Sequence, residues 1–60
     1  MYTFTDYIWE NSYGIEGEEV IDRNIANAGA KYHYLGEEFA EKFAGQDVID
    51  AAAYLEWLGY

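Results

Sequence analysis

The sequence predicts a mainly α domain: one compact unit, residues 1–60, built from three or four short helices with one or two short extended segments, and with an α+β arrangement as the alternative. Three observations carry that expectation. Apolar residues recur at helical spacing in two stretches, Ile21, Ile25 and Ala28 in the first and Val48, Ala52, Leu55 and Gly59 in the second. Proline and low-complexity tracts are missing and no internal repeat is expected, so six glycines punctuate the chain. Twelve aromatic residues (seven Tyr, three Phe, two Trp) bring large apolar area to a short chain. They are needed, because a domain of this size hides only about 60% of the surface its unfolded chain exposes. Without cysteine, neither a disulfide nor a thiolate-bound zinc can support it.

Thr3-Phe4-Thr5-Asp6 has the spacing of a capping box, with Phe4 and Ile8 one turn apart, and predicts a first helix to about Asn11. An extended start, in which Tyr2 and Phe4 alternate with threonines, is the other reading. Glu18–Ala28 predicts a second helix with acids in its first turn and Gly29 near its C-cap. Lys31–Leu35, bulky and flanked by Gly29 and Gly36, is read as extended or as a single turn. Glu37–Ala44 predicts a third helix with Phe39 and Phe43 stacked along it, stopped by Gly45. A fourth helix opens at Asp47; Ile49 and Leu58 widen its apolar stripe, Ala51–Ala53 allow close approach, and Asp50 and Glu56 face water. Trp9 and Trp57, beside Ile8 and Leu58, are expected in the core.

The longest uninterrupted apolar run, Ala51–Leu55, falls far short of the roughly 20 residues that cross a bilayer, and the first residues lack the basic and apolar regions of a signal peptide. A soluble, cytoplasmic protein is expected, and the lack of cysteine fits a reducing compartment.

The charge balance bears most directly on partners. Twelve acids against three bases give a net charge of -9, which repels nucleic acid and steers the chain toward basic protein surfaces. Direct nucleic-acid binding is therefore not expected, and like-charge repulsion favours a monomer over a homodimer.

Residues able to support chemistry are sparse. His33 is the single histidine and Ser12 the single serine, so a nucleophile, base and orienting acid cannot be assembled with members to spare. His33 is expected to pack against its neighbours or to join a contact surface. Glu37, Glu38 and Glu41 could face a hard cation, but the calcium-loop pattern is lacking and one histidine cannot make a structural zinc site. The segment Gly14–Glu19 would aim carboxylates at a phosphate, and sixty residues rarely build a cleft in which paired acids hydrolyse a glycoside. No enzyme, metal or cofactor is expected.

The acids carry the sharper expectation. Glu10, Glu16, Glu18, Glu19 and Asp22 form one group, Glu37, Glu38 and Glu41 a second, and Asp47, Asp50 and Glu56 a third. Carboxylates four residues apart on a helix lie about 6 Å apart along its axis, while duplex DNA carries one charge per roughly 1.7 Å. An acid-studded surface can thus imitate phosphates; the alternative is a solvated face that serves solubility alone. Seven tyrosines exceed what a core this small can enclose, and tyrosine offers rigid contact area with a polar tip. Tyr13, Tyr32 and Tyr34 therefore join the acids as partner-binding candidates.

In composition the chain resembles the small acidic phage-encoded anti-defence proteins, anti-CRISPR proteins and antirestriction DNA mimics. The resemblance rests on no residue motif and carries over no individual residue. It implies an inhibitor of a basic nucleic-acid-binding effector of a bacterial host, a CRISPR-Cas surveillance complex and by preference a type I complex, that blocks target-DNA binding. The other readings are an antitoxin-like or adaptor protein neutralising a basic partner, a phage regulator of host RNA polymerase, and, from a different class, a small hydrolase using Glu37, Glu41 and His33.

Overall fold

The computed structural model describes residues 1–60. Its elements in chain order are α1 (Phe4–Glu10), β1 (Val20–Asp22), α2 (Arg23–Tyr32), α3 (Gly36–Lys42), β2 (Val48–Asp50) and α4 (Ala51–Leu58). The architecture is rich in helix but contains a two-stranded antiparallel sheet, which corresponds to the α+β alternative.

Helix α1 begins as its sequence dictates. The Thr3 hydroxyl accepts the Asp6 N–H at 3.1 Å and the Asp6 carboxylate accepts the Thr3 N–H at 3.0 Å, closing the capping box. Two otherwise orphan donors are satisfied. Tyr2 and Phe4 are thus not part of a strand.

The sheet corrects three sequence expectations. Both strands consist of the tripeptide Val-Ile-Asp, at 20–22 and 48–50, so the chain does contain a short internal repeat. The copies pair with each other, Val20 opposite Asp50, Ile21 opposite Ile49 and Asp22 opposite Val48. The ladder continues symmetrically beyond both ends: Arg23 N–H donates to the Asp47 carbonyl at 2.9 Å and Ala51 N–H to the Glu19 carbonyl at 3.0 Å. Each strand feeds straight into a helix through its aspartate, giving two β-α units whose strands pair about the central Ile21–Ile49 pair. Because strand side chains alternate in direction, Ile21 and Ile49 are fully buried while Asp22, Val48 and Asp50 are exposed. Each buried isoleucine contributes about 2 kcal/mol of apolar transfer.

The second and fourth helices consequently start later than their periodicity predicts. Helix α2 has no acid in its first turn, runs through Gly29 to Tyr32, and buries Ala26, Gly29 and Ala30 rather than Ala28. The segment Lys31–Leu35 supplies its last two residues and a turn, not a strand. Helix α4 buries Ala51, Tyr54 and Leu55; Val48 and Ala52 stand outside, and Gly59 is a left-handed C-cap (φ +102) instead of a stripe position. Helix α3 meets expectation, with Phe39 and Phe43 buried and their rings 5.2 Å apart.

Gly29 is a packing position. The space a Cβ would occupy is filled by the Tyr54 hydroxyl and the Phe4 ring. Tyr54, fully buried, donates its hydroxyl to the Ala26 carbonyl at 2.7 Å and so ties α4 to α2. Arg23 holds the other end, donating to the carbonyls of Phe43 (2.7 Å) and Gln46 (2.9 Å) with its guanidinium 5.2 Å from the Phe39 ring centre.

Burial pushes the Tyr54 hydroxyl up from 10.0 to about 12. A folded-state value above the unfolded one stabilises the domain fully below pH 10 and loses that contribution as pH rises through about 12. The loss amounts to about 3 kcal/mol at most. Urea midpoints are expected to fall steeply between pH 10 and 12, and the same series on Tyr54→Phe should show a shallower fall.

Candidate functional site

The register of the sheet decides which acids meet. The outer face carries Asp22 and Asp50 at opposite corners of a four-residue patch completed by Val20 and Val48. Ahead of β1, Tyr13 and Val20 exchange backbone hydrogen bonds of 3.0 and 2.9 Å and close a loop over residues 14–19. A turn within it is fixed by Glu18 N–H donating to the Ile15 carbonyl at 2.8 Å, with Gly17 at φ +88, a conformation that favours glycine. Glu16 and Glu18 project from this turn into solvent. Glu19, half-buried, folds back to accept the Gly17 N–H at 3.1 Å. Asp47 lies at the far end of the ladder, facing Arg23 across the strands.

The structure therefore merges most of the first predicted acidic group with Asp47 and Asp50 from the third. It separates two members. Glu10 lies on α1, one turn from the exposed Asp6, which belongs to none of the three predicted groups, and Glu56 lies on α4, which packs against α1. Glu37, Glu38 and Glu41 stay together, exposed along α3 with Lys42.

Several carboxylates also serve the fold. Asp6 closes the capping box, Glu19 holds its loop, and Asp50 caps α4 by accepting the Ala53 N–H at 2.8 Å. The related Asp22 forms no such cap; it accepts the Tyr13 hydroxyl instead. That hydrogen bond, with lesser desolvation and Coulomb repulsion, pushes the Tyr13 hydroxyl above its ordinary 10.0. Arg23 gives its guanidinium hydrogen bonds to carbonyls, so the negative surface gains little relief from it.

Five of the seven tyrosines are exposed: Tyr2, Tyr13, Tyr32, Tyr34 and Tyr60. Tyr32 lies parallel to Phe4 at 6.4 Å, and Tyr60 stacks on the same ring at 5.6 Å. The left-handed Gly59 makes this possible by letting Tyr60 N–H return to the Leu55 carbonyl at 2.9 Å. His33, half-buried, joins the cluster. Its Nδ1 donates to the Gly29 carbonyl at 2.8 Å, which leaves Nε2 to accept the Tyr60 hydroxyl at 2.7 Å in the neutral ring. Both ring nitrogens are thus engaged in holding the fold. Trp57 is half-buried against the core, but Trp9 is 41% exposed, contrary to expectation, because α1 turns Ile8 inward and the next residue outward. No group of three or more acidic or histidine side chains is placed to share a metal ion.

Tyr34 is the most telling of the exposed aromatics. It is 93% exposed and holds φ at +60, the one non-glycine residue with positive φ in the chain. A left-handed backbone costs a side-chain residue about 1–2 kcal/mol, and an exposed ring recovers none of it through burial. Glycine's extra unfolded-state freedom offsets about half of the relief. Tyr34→Gly is therefore expected to raise stability by about 0.5–1 kcal/mol in urea denaturation.

No known protein family, curated protein or solved structure matches the chain. The fold and surface define it as a small acidic α+β domain with exposed tyrosines. No helix is long and apolar enough to cross a membrane.

Proposed function

We propose that the protein is an inhibitor that binds a basic nucleic-acid-binding effector of a bacterial host and blocks target-DNA binding by presenting carboxylates where the effector expects phosphates. The effector we favour is a CRISPR-Cas surveillance complex, by preference of type I. The observation that carries the reading is charge density. The longest dimension of the molecule is 28 Å, and a duplex of that length bears about 16 phosphates. The protein's net charge of -9 over the same length is more than half of that.

The layout of the acids supports the reading further. Eleven of the twelve are exposed, and seven of those, Glu16, Glu18, Glu37, Glu38, Glu41, Asp47 and Glu56, accept no hydrogen bond within the protein. They are available to a partner's lysines and arginines. Tyr13, Tyr32 and Tyr34 add contact area beside them. In this role Tyr34 is retained against the stability of the fold, so Tyr34→Gly should bind the effector more weakly while melting at a higher temperature. A glycine variant that binds undiminished would remove Tyr34 from the interface.

The experiment is a DNA-binding assay on a purified type I surveillance complex with increasing amounts of the protein. The expected result is loss of target-DNA binding that added DNA overcomes competitively. Unaltered DNA binding at a large excess of protein would reject this effector, and inhibition that DNA cannot overcome would reject mimicry.

A further inference from the structure

Between α1 and α4 runs an open groove lined by Thr5, Trp9, Ala52, Leu55, Glu56 and Tyr60. Leu55 is buried, two aromatic residues line the groove, and Glu56 is its one ionisable acid. None of the three cations lines it. Arg23 is held at the opposite end of α2 by the Phe43 and Gln46 carbonyls, and Lys42 lines the neighbouring depression with Phe43, Ala53 and Trp57 on the far side of Glu56.

We infer that this groove is a receptor for a single arginine side chain of a basic partner, its guanidinium packed against Trp9 and Tyr60 and paired with Glu56. The chemistry fits one occupant. An indole and a phenol attract a cation through their ring quadrupoles, and Trp is the best of the aromatic partners. A guanidinium is planar, weakly hydrated and able to bond a carboxylate while stacking on an aromatic ring, which an ammonium group does less well. The molecule already sets a guanidinium against a ring internally, with backbone carbonyls in place of the carboxylate: Arg23 lies 5.2 Å from the Phe39 ring centre while donating to two carbonyls. A second copy of this chain is a poor occupant, since each copy brings a net charge of -9. Tyr60 is held at the groove by its stacking on Phe4 and by the His33 hydrogen bond, so one wall is ordered before any ligand arrives. Trp9 and Tyr60 thereby become partner-binding residues that the acids and the other tyrosines did not reveal.

The inference rests on the proposal that the partner is basic, and its test is separate from any particular effector. The probe is the capped tripeptide Gly-Arg-Gly, with Gly-citrulline-Gly as the uncharged isostere, titrated into the labelled protein and followed by amide and indole NMR shifts. Saturable shifts centred on the Trp9 indole N–H and the Glu56 and Tyr60 amides are expected with the arginine peptide and not with citrulline. Glu56→Gln and Trp9→Ala should each weaken binding by about fivefold. The spectra themselves report that these exposed-site variants remain folded. Absence of saturable groove shifts, equal shifts with citrulline, or shifts centred instead on Glu18, Glu37 or Asp47 would overturn the inference. Groove binding of the arginine peptide, together with failure to inhibit any DNA-binding complex, would leave the groove standing and reject the proposed function.

Discussion

Alanine at position 29 is expected to destabilise the domain severely. A Cβ there would overlap the Tyr54 hydroxyl and stand 2.8 Å from Phe4 Cζ, so that the enclosed Tyr54 and the half-buried Phe4 would both have to shift. Tyr54 is fully buried and bonded to the Ala26 carbonyl, while Phe4 is held among Tyr32, His33 and Tyr60. Overpacking costs about 1–3 kcal/mol. Leaving the tyrosine hydroxyl without its partner costs about 1–3 kcal/mol more. The better helix propensity of alanine returns only about 1 kcal/mol. The net loss, about 1–5 kcal/mol, is a large part of the stability of a 60-residue domain, about 3–9 kcal/mol. Thermal denaturation followed by circular dichroism should show Gly29→Ala melting well below the unsubstituted protein. Gly36→Ala is the control: its Cβ would meet only the flexible Lys31 side chain at 3.1 Å, and its melting temperature should stay near that of the unsubstituted protein. A Gly29→Ala protein as stable as the Gly36→Ala one would contradict the packing described around Tyr54.

Charge reversal is expected to have the largest effect on binding. The triples Glu16, Glu18 and Asp47, beside the sheet, and Glu37, Glu38 and Glu41, on α3, avoid every carboxylate that caps a helix or holds a loop. Changing either triple to lysine moves the net charge from -9 to -3 and should leave the fold intact. Affinity for the effector should drop on the order of 100-fold, mainly through slower association as steering is lost. The triple with the larger effect identifies the face that enters the effector's channel. Raising salt should weaken the unsubstituted protein more than either variant, because exposed charges are screened beyond a Debye length of about 8 Å at physiological ionic strength. Undiminished affinity in both variants would reject the electrostatic mechanism.

Local chemistry made some of the fold readable in advance. The Thr3–Asp6 box and the Phe39–Phe43 pair are signals carried by residues three or four apart, and both elements form as their sequences predict. The strands were hidden because three residues are too few to show alternation, and because Val-Ile-Asp followed directly by a helix extends that helix's apparent periodicity backward. The signal that could have exposed them is the repetition of Val-Ile-Asp at 20–22 and 48–50, each copy ending in a helix-capping residue type. Gly29 reads as a C-cap in the sequence because a glycine that ends a helix and one that admits a neighbouring ring look alike in one dimension. What distinguishes them is Tyr54, twenty-five residues away in the chain.

The surface divides in the same manner. Composition alone indicated exposed acids and exposed tyrosines, and the acids and Tyr13, Tyr32 and Tyr34 do lie outside the core. Their grouping depended on the pairing of β1 with β2, which places Asp22 and Asp50 on one face, and on the packing of α1 against α4, which takes Glu10 and Glu56 elsewhere. The groove lined by Trp9 and Tyr60 is built by two elements more than forty residues apart in the chain. No spacing rule within either element points to it.

The most direct test of DNA mimicry is capture of the partner from bacterial lysate on the tagged protein, repeated with excess duplex DNA and read by mass spectrometry. Under mimicry a nucleic-acid-binding effector is retained and duplex DNA releases it. Retention of a partner that DNA leaves undisturbed would contradict mimicry and point to an adaptor, antitoxin-like or allosteric mode of action.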